Sequence, residues 1–124
     1  MNNRNTLFLG AVFMALAVLL GAFGAHALKN SLSPEMLAVY KTGVEYQFYH
    51  ALGLLIIGLI GFHLDSKWLR RSGLLLTLGI LLFSGSLYVL ALTGIKVIGA
   101  ITPIGGLSFV SGWVCLAMAV WKRS

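Results

Sequence analysis

Breaking the chain at every Asp, Glu, Lys and Arg leaves four long uncharged runs, residues 5–28, 46–64, 72–95 and 97–121. One helical crossing of a bilayer needs about 20 apolar residues at about 1.5 Å rise each, so every run suffices for one crossing. The runs lack period-2 alternation, and in lipid the backbone must satisfy its own hydrogen bonds, so helices are predicted rather than strands. The expected spans are 6–28, 46–64, 72–93 and 103–121. Between the first two, Ser33-Pro34-Glu35 combines a capping hydroxyl, a proline at the first helical position and an acid in the first turn. Leu37, Tyr40, Val44 and Phe48 then recur at helical spacing, with Lys41, Thr42 and Glu45 on another face. This predicts an amphipathic interfacial helix over 34–45 that runs into the second span. Thr102-Pro103 is a comparable start for the fourth span, with Gly94 to Ile101 as a hydrophobic, partly re-entrant connection. The fold class is an all-α membrane protein: four transmembrane helices in a bundle, with an interfacial amphipathic helix between the first and second, forming one domain over residues 1–124.

Composition sharpens this picture. Of 124 residues 59% are hydrophobic and only 10% charged, whereas charged residues make up roughly a quarter of soluble domains. The net charge of +6 would raise the question of nucleic acid in a soluble chain; here it sets topology, and the expected partner is the lipid bilayer rather than nucleic acid. Arg4, Lys67, Arg70, Arg71, Lys122 and Arg123 fall on one side, and Lys29, Lys41 and Lys96 on the other. Lys and Arg mark the cytoplasmic side, so both termini are expected there, with Trp68 and Trp121 as interfacial anchors. Arg4, an apolar core and Ala25-His26-Ala27 also resemble a secretory signal peptide, but the apolar run from Leu7 to Ala25 exceeds the usual 7 to 15 residues. The single Cys115 excludes an intrachain disulfide and paired-cysteine redox chemistry. There is neither a phosphate-binding Gly-Lys-Ser/Thr loop nor a zinc-ligand spacing, so no cofactor and no metal are expected.

The topology converts the polar residues into a map. His26, Glu45, Gln47, His50, Ser84, Ser86, Tyr88, Thr102, Ser108 and Ser111 fall in the outer half, against Thr77, Cys115 and His63 in the inner half. This predicts an outward-facing polar vestibule, with His26, Glu45, Tyr46, His50, Ser84, Tyr88 and Thr102 as candidate ligand-binding or polar-cluster residues. Each also has a structural explanation. His26 and His50 read first as neutral side chains hydrogen-bonded across neighbouring helices, with proton sensing or relay as the functional alternative. Glu45 reads as an ion pair with Lys41 one turn earlier, and Tyr46 and His50 share a face at i,i+4. Small residues supply the packing expectation: Ala17, Gly21 and Ala25 on the first span, Ser108 and Gly112 on the fourth, at the spacing that lets helix backbones approach. They serve packing within one bundle or a homo-oligomer contact.

Four ordered motifs, Gly21-Ala-Phe-Gly-Ala-His-Ala-Leu28, Tyr46-Gln-Phe-Tyr-His-Ala-Leu52, Phe83-Ser-Gly-Ser-Leu-Tyr88 and Thr102-Pro-Ile-Gly-Gly106 through Gly112-Trp113, resemble the YgdD-like family of small inner-membrane proteins of unknown function. The resemblance covers nearly the whole chain and implies a multi-pass protein of the bacterial plasma membrane; it implies no reaction, ligand or catalytic residue. The leading expectation is a non-enzymatic membrane protein whose vestibule around His26, Tyr46 and His50 binds a small molecule, lipid or partner helix. Two alternatives are a small proton-coupled transporter and a membrane enzyme using His50 and Glu45. The first lacks an acid in residues 5–28, and the second lacks an accompanying nucleophile or metal set.

Overall fold

The computed structural model describes residues 1–122 and is all-helical over them. We number the α-helices α1 (Asn3–Phe23), α2 (Pro34–Ile60), α3 (Lys67–Gly79), α4 (Gly85–Thr93) and α5 (Thr102–Lys122). A π-helical turn, Gly24–Leu28, extends α1, and a second, Ile80–Ser84, joins α3 to α4 without a break in the rod. A 3-10 turn, Lys96–Ala100, leads into α5. Four rods long and apolar enough to cross a membrane result: Asn3–Leu28, Pro34–Ile60, Lys67–Thr93 and Lys96–Lys122.

The ends follow local chemistry. Ser33 Oγ accepts the Met36 N–H and Pro34 opens α2, as the Ser-Pro-Glu motif predicts. Asn2 and Ser66 cap α1 and α3 in the same way. Gly94 stops α4 at φ 72°, a left-handed conformation that glycine alone adopts without steric cost. Residues 34–45 are the first three turns of an unbroken 27-residue helix. The centre of the second rod therefore falls near Gln47, not at the middle of 46–64. The segment Gly94 to Ile101 forms an exposed turn capped by the 3-10 element.

Packing pairs α1 with α2 and α3 with α5, while α2 also touches α3, α4 and the π-turn between them. The α1 face that packs is narrow: Thr6, Gly10, Ala17, Gly24 and Leu28 are buried. Seven-residue steps such as 10, 17, 24 stay on one stripe, drifting only about 20° per heptad, whereas repeated four-residue steps rotate away. The close-packed stripe is consequently Gly10, Ala17 and Gly24, with Gly21 only partly buried and Ala25 exposed. On α5 the stripe is Gly105, Phe109, Gly112 and Ala119. A Cβ at Gly105 would lie 2.7 Å from the Phe83 Cα, so α5 and the π-turn touch backbone to backbone there.

Met1 and Arg4 line a cleft with residues 61–70, and Lys122 Nζ lies 5.4 Å from the ring centre of Trp68, where Arg71 also sits at 5.1 Å. The start of the chain, the 61–66 connection and the end of α5 therefore share one end of the bundle, the end richer in Lys and Arg.

Candidate functional site

Polar side chains inside a bilayer need partners, because hydrocarbon offers none. Here α2 receives most of them. Gln47, buried in α2, donates from Nε2 to the Phe13 carbonyl at 2.8 Å and accepts the Tyr88 hydroxyl on Oε1 at 2.6 Å, tying three rods through one amide. Ser84 Oγ donates to the Gly43 carbonyl at 2.7 Å, and Tyr40 donates its hydroxyl to the Leu20 carbonyl. Ser86 shares a 2.6 Å hydrogen bond with Thr102, and Ser108 Oγ donates to the Leu75 carbonyl at 2.6 Å. Among the described residues no sealed side-chain nitrogen or oxygen is left without a partner. Gln47, Tyr88, Ser84, Ser86, Thr102 and Ser108 thus close pairwise between rods.

His50 lies apart from this ladder. It is 6% exposed, its ring stacks on Phe109 at 3.5 Å between centres and 12° between planes, and Tyr46 and Trp113 flank it at 6.0 and 5.8 Å. Its Nδ1 is 2.7 Å from the carbonyl of Tyr46 one turn earlier. Tyr46 in turn packs its ring on Phe83 at 4.6 Å. His50 therefore faces α5, away from α1, and the cross-helix bond to His26 does not form. His26, in the π-turn after α1, is exposed and makes no hydrogen bond among the described residues.

The other feature is a cleft of about 470 Å³ between the end of the first rod and the first turns of α2. Gly24, Tyr40 and Val44 form its buried floor; Lys29, Lys41 and Glu45 are exposed at its edge. Gly21 and Ala25, expected as packing residues, instead keep this space open by their small size. Lys41 and Glu45 share the edge without the ion pair that their spacing suggests; among the described residues the one salt bridge joins Arg70 to Asp65 at 2.7 Å. Of the residues singled out in the sequence, the structure joins Tyr46 with His50, Ser84 with α2, Tyr88 with Gln47, and Thr102 with Ser86. It leaves His26 outside every cluster. Lys29 and Tyr40 were not singled out as site residues; Tyr40 showed only as an apolar-face position, and no local pattern reveals that a lysine following one rod meets a groove in the next.

Residues 20–106 match the family described as "Protein of unknown function (DUF423)". The chain belongs to this family. It is 48% identical over 118 residues to a UPF0382 membrane protein of Staphylococcus haemolyticus, covering 94% of each chain. It is 50% identical over 118 residues to one of Staphylococcus saprophyticus, covering 94% of this chain and 96% of the relative. It is 44% identical over 117 residues to the UPF0382 membrane protein YwdK of Bacillus subtilis, covering 94% and 95%. No solved structure matches. The expectation of a membrane family of unknown function holds, without the YgdD-like name; the DUF423 match spans both the Lys29/Lys41 cleft and His50.

Proposed function

We propose that this DUF423 protein is a lipid-binding protein of the bacterial plasma membrane, and that the cleft between α1 and α2 holds the phosphate-bearing headgroup of an anionic lipid in the outer leaflet. The observation that carries this is the pairing of an apolar floor with two unpaired lysines at the end of a membrane-length rod. From Leu37 to Val44 the groove follows α2 for about 10 Å, enough for a glycerol backbone and the first methylenes of an acyl chain. Lys29 and Lys41 outnumber Glu45, leaving a net positive rim suited to a phosphodiester, and their long stems let the ammonium groups snorkel to the headgroup layer. Placing the cleft in the outer leaflet rests on Arg4, Lys67, Arg70, Arg71 and Lys122 at the opposite end.

The test is lipid retention by native mass spectrometry after exchange into nanodiscs of phosphatidylglycerol or phosphatidylethanolamine. Phosphatidylglycerol should be retained preferentially, and replacing both Lys29 and Lys41 by Gln should weaken it on the order of tenfold. Gly21→Leu should fill the groove and reduce retention of both lipids. Equal retention by wild type and the double variant would reject the cleft as the site. Reporter fusions after the last residue and within 65–71 should read cytoplasmic, and fusions near Ser31 external; the reverse would move the cleft to the inner leaflet.

A further inference from the structure

The His50 environment carries a second inference that is independent of the lysine cleft. The Tyr46 carbonyl oxygen can only accept, so the His50 Nδ1 facing it at 2.7 Å carries the hydrogen and donates. A neutral imidazole has one donor and one acceptor nitrogen, which leaves Nε2 as a bare acceptor. No described residue donates to Nε2. Every sealed side-chain nitrogen among the described residues has a partner, so Nε2, which has none, is not sealed. The two rings that flank it, Tyr46 and Trp113, are 37% and 39% exposed.

Depth narrows what reaches it. His50 lies ten residues from Ile60 and sixteen from Pro34 in α2, or about 15 Å and about 24 Å from the two ends of the rod. His50 is six residues, about 9 Å, beyond Val44 at the inner end of the lysine cleft, so a headgroup held in that cleft does not reach Nε2. A bare acceptor in hydrocarbon is costly, and a single O–H donor satisfies it. The walls are aromatic: Phe109 lies under the imidazole, Tyr46 and Trp113 flank it, and Phe83 packs behind them on Tyr46 and Phe109, a setting that favours another flat ring in offset or edge contact.

We infer that His50 Nε2 and the aromatic residues around it form a binding site for a lipid-soluble phenol or hydroquinone, whose hydroxyl donates to Nε2 while its ring packs against Tyr46 and Trp113. The apolar tail runs along the exposed seam between α2 and α5. The site binds its ligand by hydrogen bond and stacking and needs no covalent or redox step.

Trp113 supplies the readout. With Trp68→Phe and Trp121→Phe it is the sole tryptophan, 5.8 Å from His50 between ring centres. The probes are decylhydroquinone and its dimethyl ether, which keeps ring and tail but has no O–H to donate, each titrated into the protein in nanodiscs. Decylhydroquinone should quench Trp113 saturably, and the ether should bind about tenfold more weakly, the discrimination expected from one hydrogen bond in a dry site. His50→Phe, which preserves the stack on Phe109, should reduce hydroquinone binding to the level of the ether. Equal affinity for the two probes in the unaltered site, or no saturable quenching, would overturn the inference. The probe comparison requires no change at His50, so the outcome stands even where His50→Phe lowers stability.

Discussion

α1 and α2 are both membrane-length and apolar, yet they relate to the bundle in opposite ways. α1 buries a single stripe of small side chains against α2 and turns Phe8, Leu16, Val18, Leu19 and Phe23 outward. α2 touches α1, α3, α4 and the π-turn, and buries ten residues, among them Gly43, Gln47, His50, Gly53 and Gly58. The more polar of the two helices is the enclosed one. In a soluble bundle burial rewards apolar side chains, but lipid already solvates those, so contact between rods selects groups that approach closely or hydrogen-bond. Polarity and glycine along a span therefore indicate enclosure, and uninterrupted large apolar residues indicate lipid contact.

Substitutions graded by this difference should break it or sharpen it. Gly43→Leu is expected to have the largest effect, because a Cβ there would lie 2.8 Å from the Tyr88 ring and 3.3 Å from the Leu87 Cβ, beside the Ser84 bond. Overpacking of this kind costs about 1 to 3 kcal/mol, occasionally more. A marked loss of folded protein in detergent extracts and a lowered melting temperature should follow. Gln47→Leu should come next, at about 1 to 2 kcal/mol in thermal unfolding, since it strands the Tyr88 hydroxyl and frees the Phe13 carbonyl. Ser84→Ala removes one bond and should cost about 0.6 kcal/mol, the average for interhelical hydrogen bonds in membranes.

His26→Ala should change melting by less than about 0.5 kcal/mol, as an exposed side chain without partners. Its combination with His50→Ala should be additive within about 0.5 kcal/mol. A bridge between the two histidines would instead make the pair non-additive, and the double-mutant cycle reads that directly.

The number and rough extent of the spans were legible because charges delimit them and hydrocarbon tolerates few alternatives. The start of α2 was legible as well, since Ser33 and Pro34 act on their own turn. What sequence did not disclose is rotation. The Ala17, Gly21, Ala25 series took four-residue steps where the packed stripe takes seven, and the π-turn at Gly24–Leu28 moves Ala25 and His26 off the faces an unbroken helix would give them. The continuity of 34–45 with the second span was legible from the helical pattern that runs on to Phe48, while Lys41 and Glu45 set the expected span to begin at 46, a boundary that the fold does not make. The Gln47 link to Tyr88 joins residues 41 positions apart, a separation at which no local pattern speaks.

The π-turn at Ile80–Ser84, closed by the Gly85 N–H on the Ile80 carbonyl, makes chain length itself a carrier of structural information. It places Phe83 against α5 and Ser84 against Gly43 from neighbouring positions. The i→i+5 bond absorbs one residue beyond the ordinary repeat, so removing one would leave α4 facing α2, whereas running the full-length chain as unbroken α-helix would swing α4 by about 100°. Tyr88 and Ser86 would then leave their partners with every side chain still present in the chain. A third span one residue shorter would thus bring the same face of α4 to α2 without a π-turn, so the DUF423 scaffold can absorb a single-codon change in length and keep its seam.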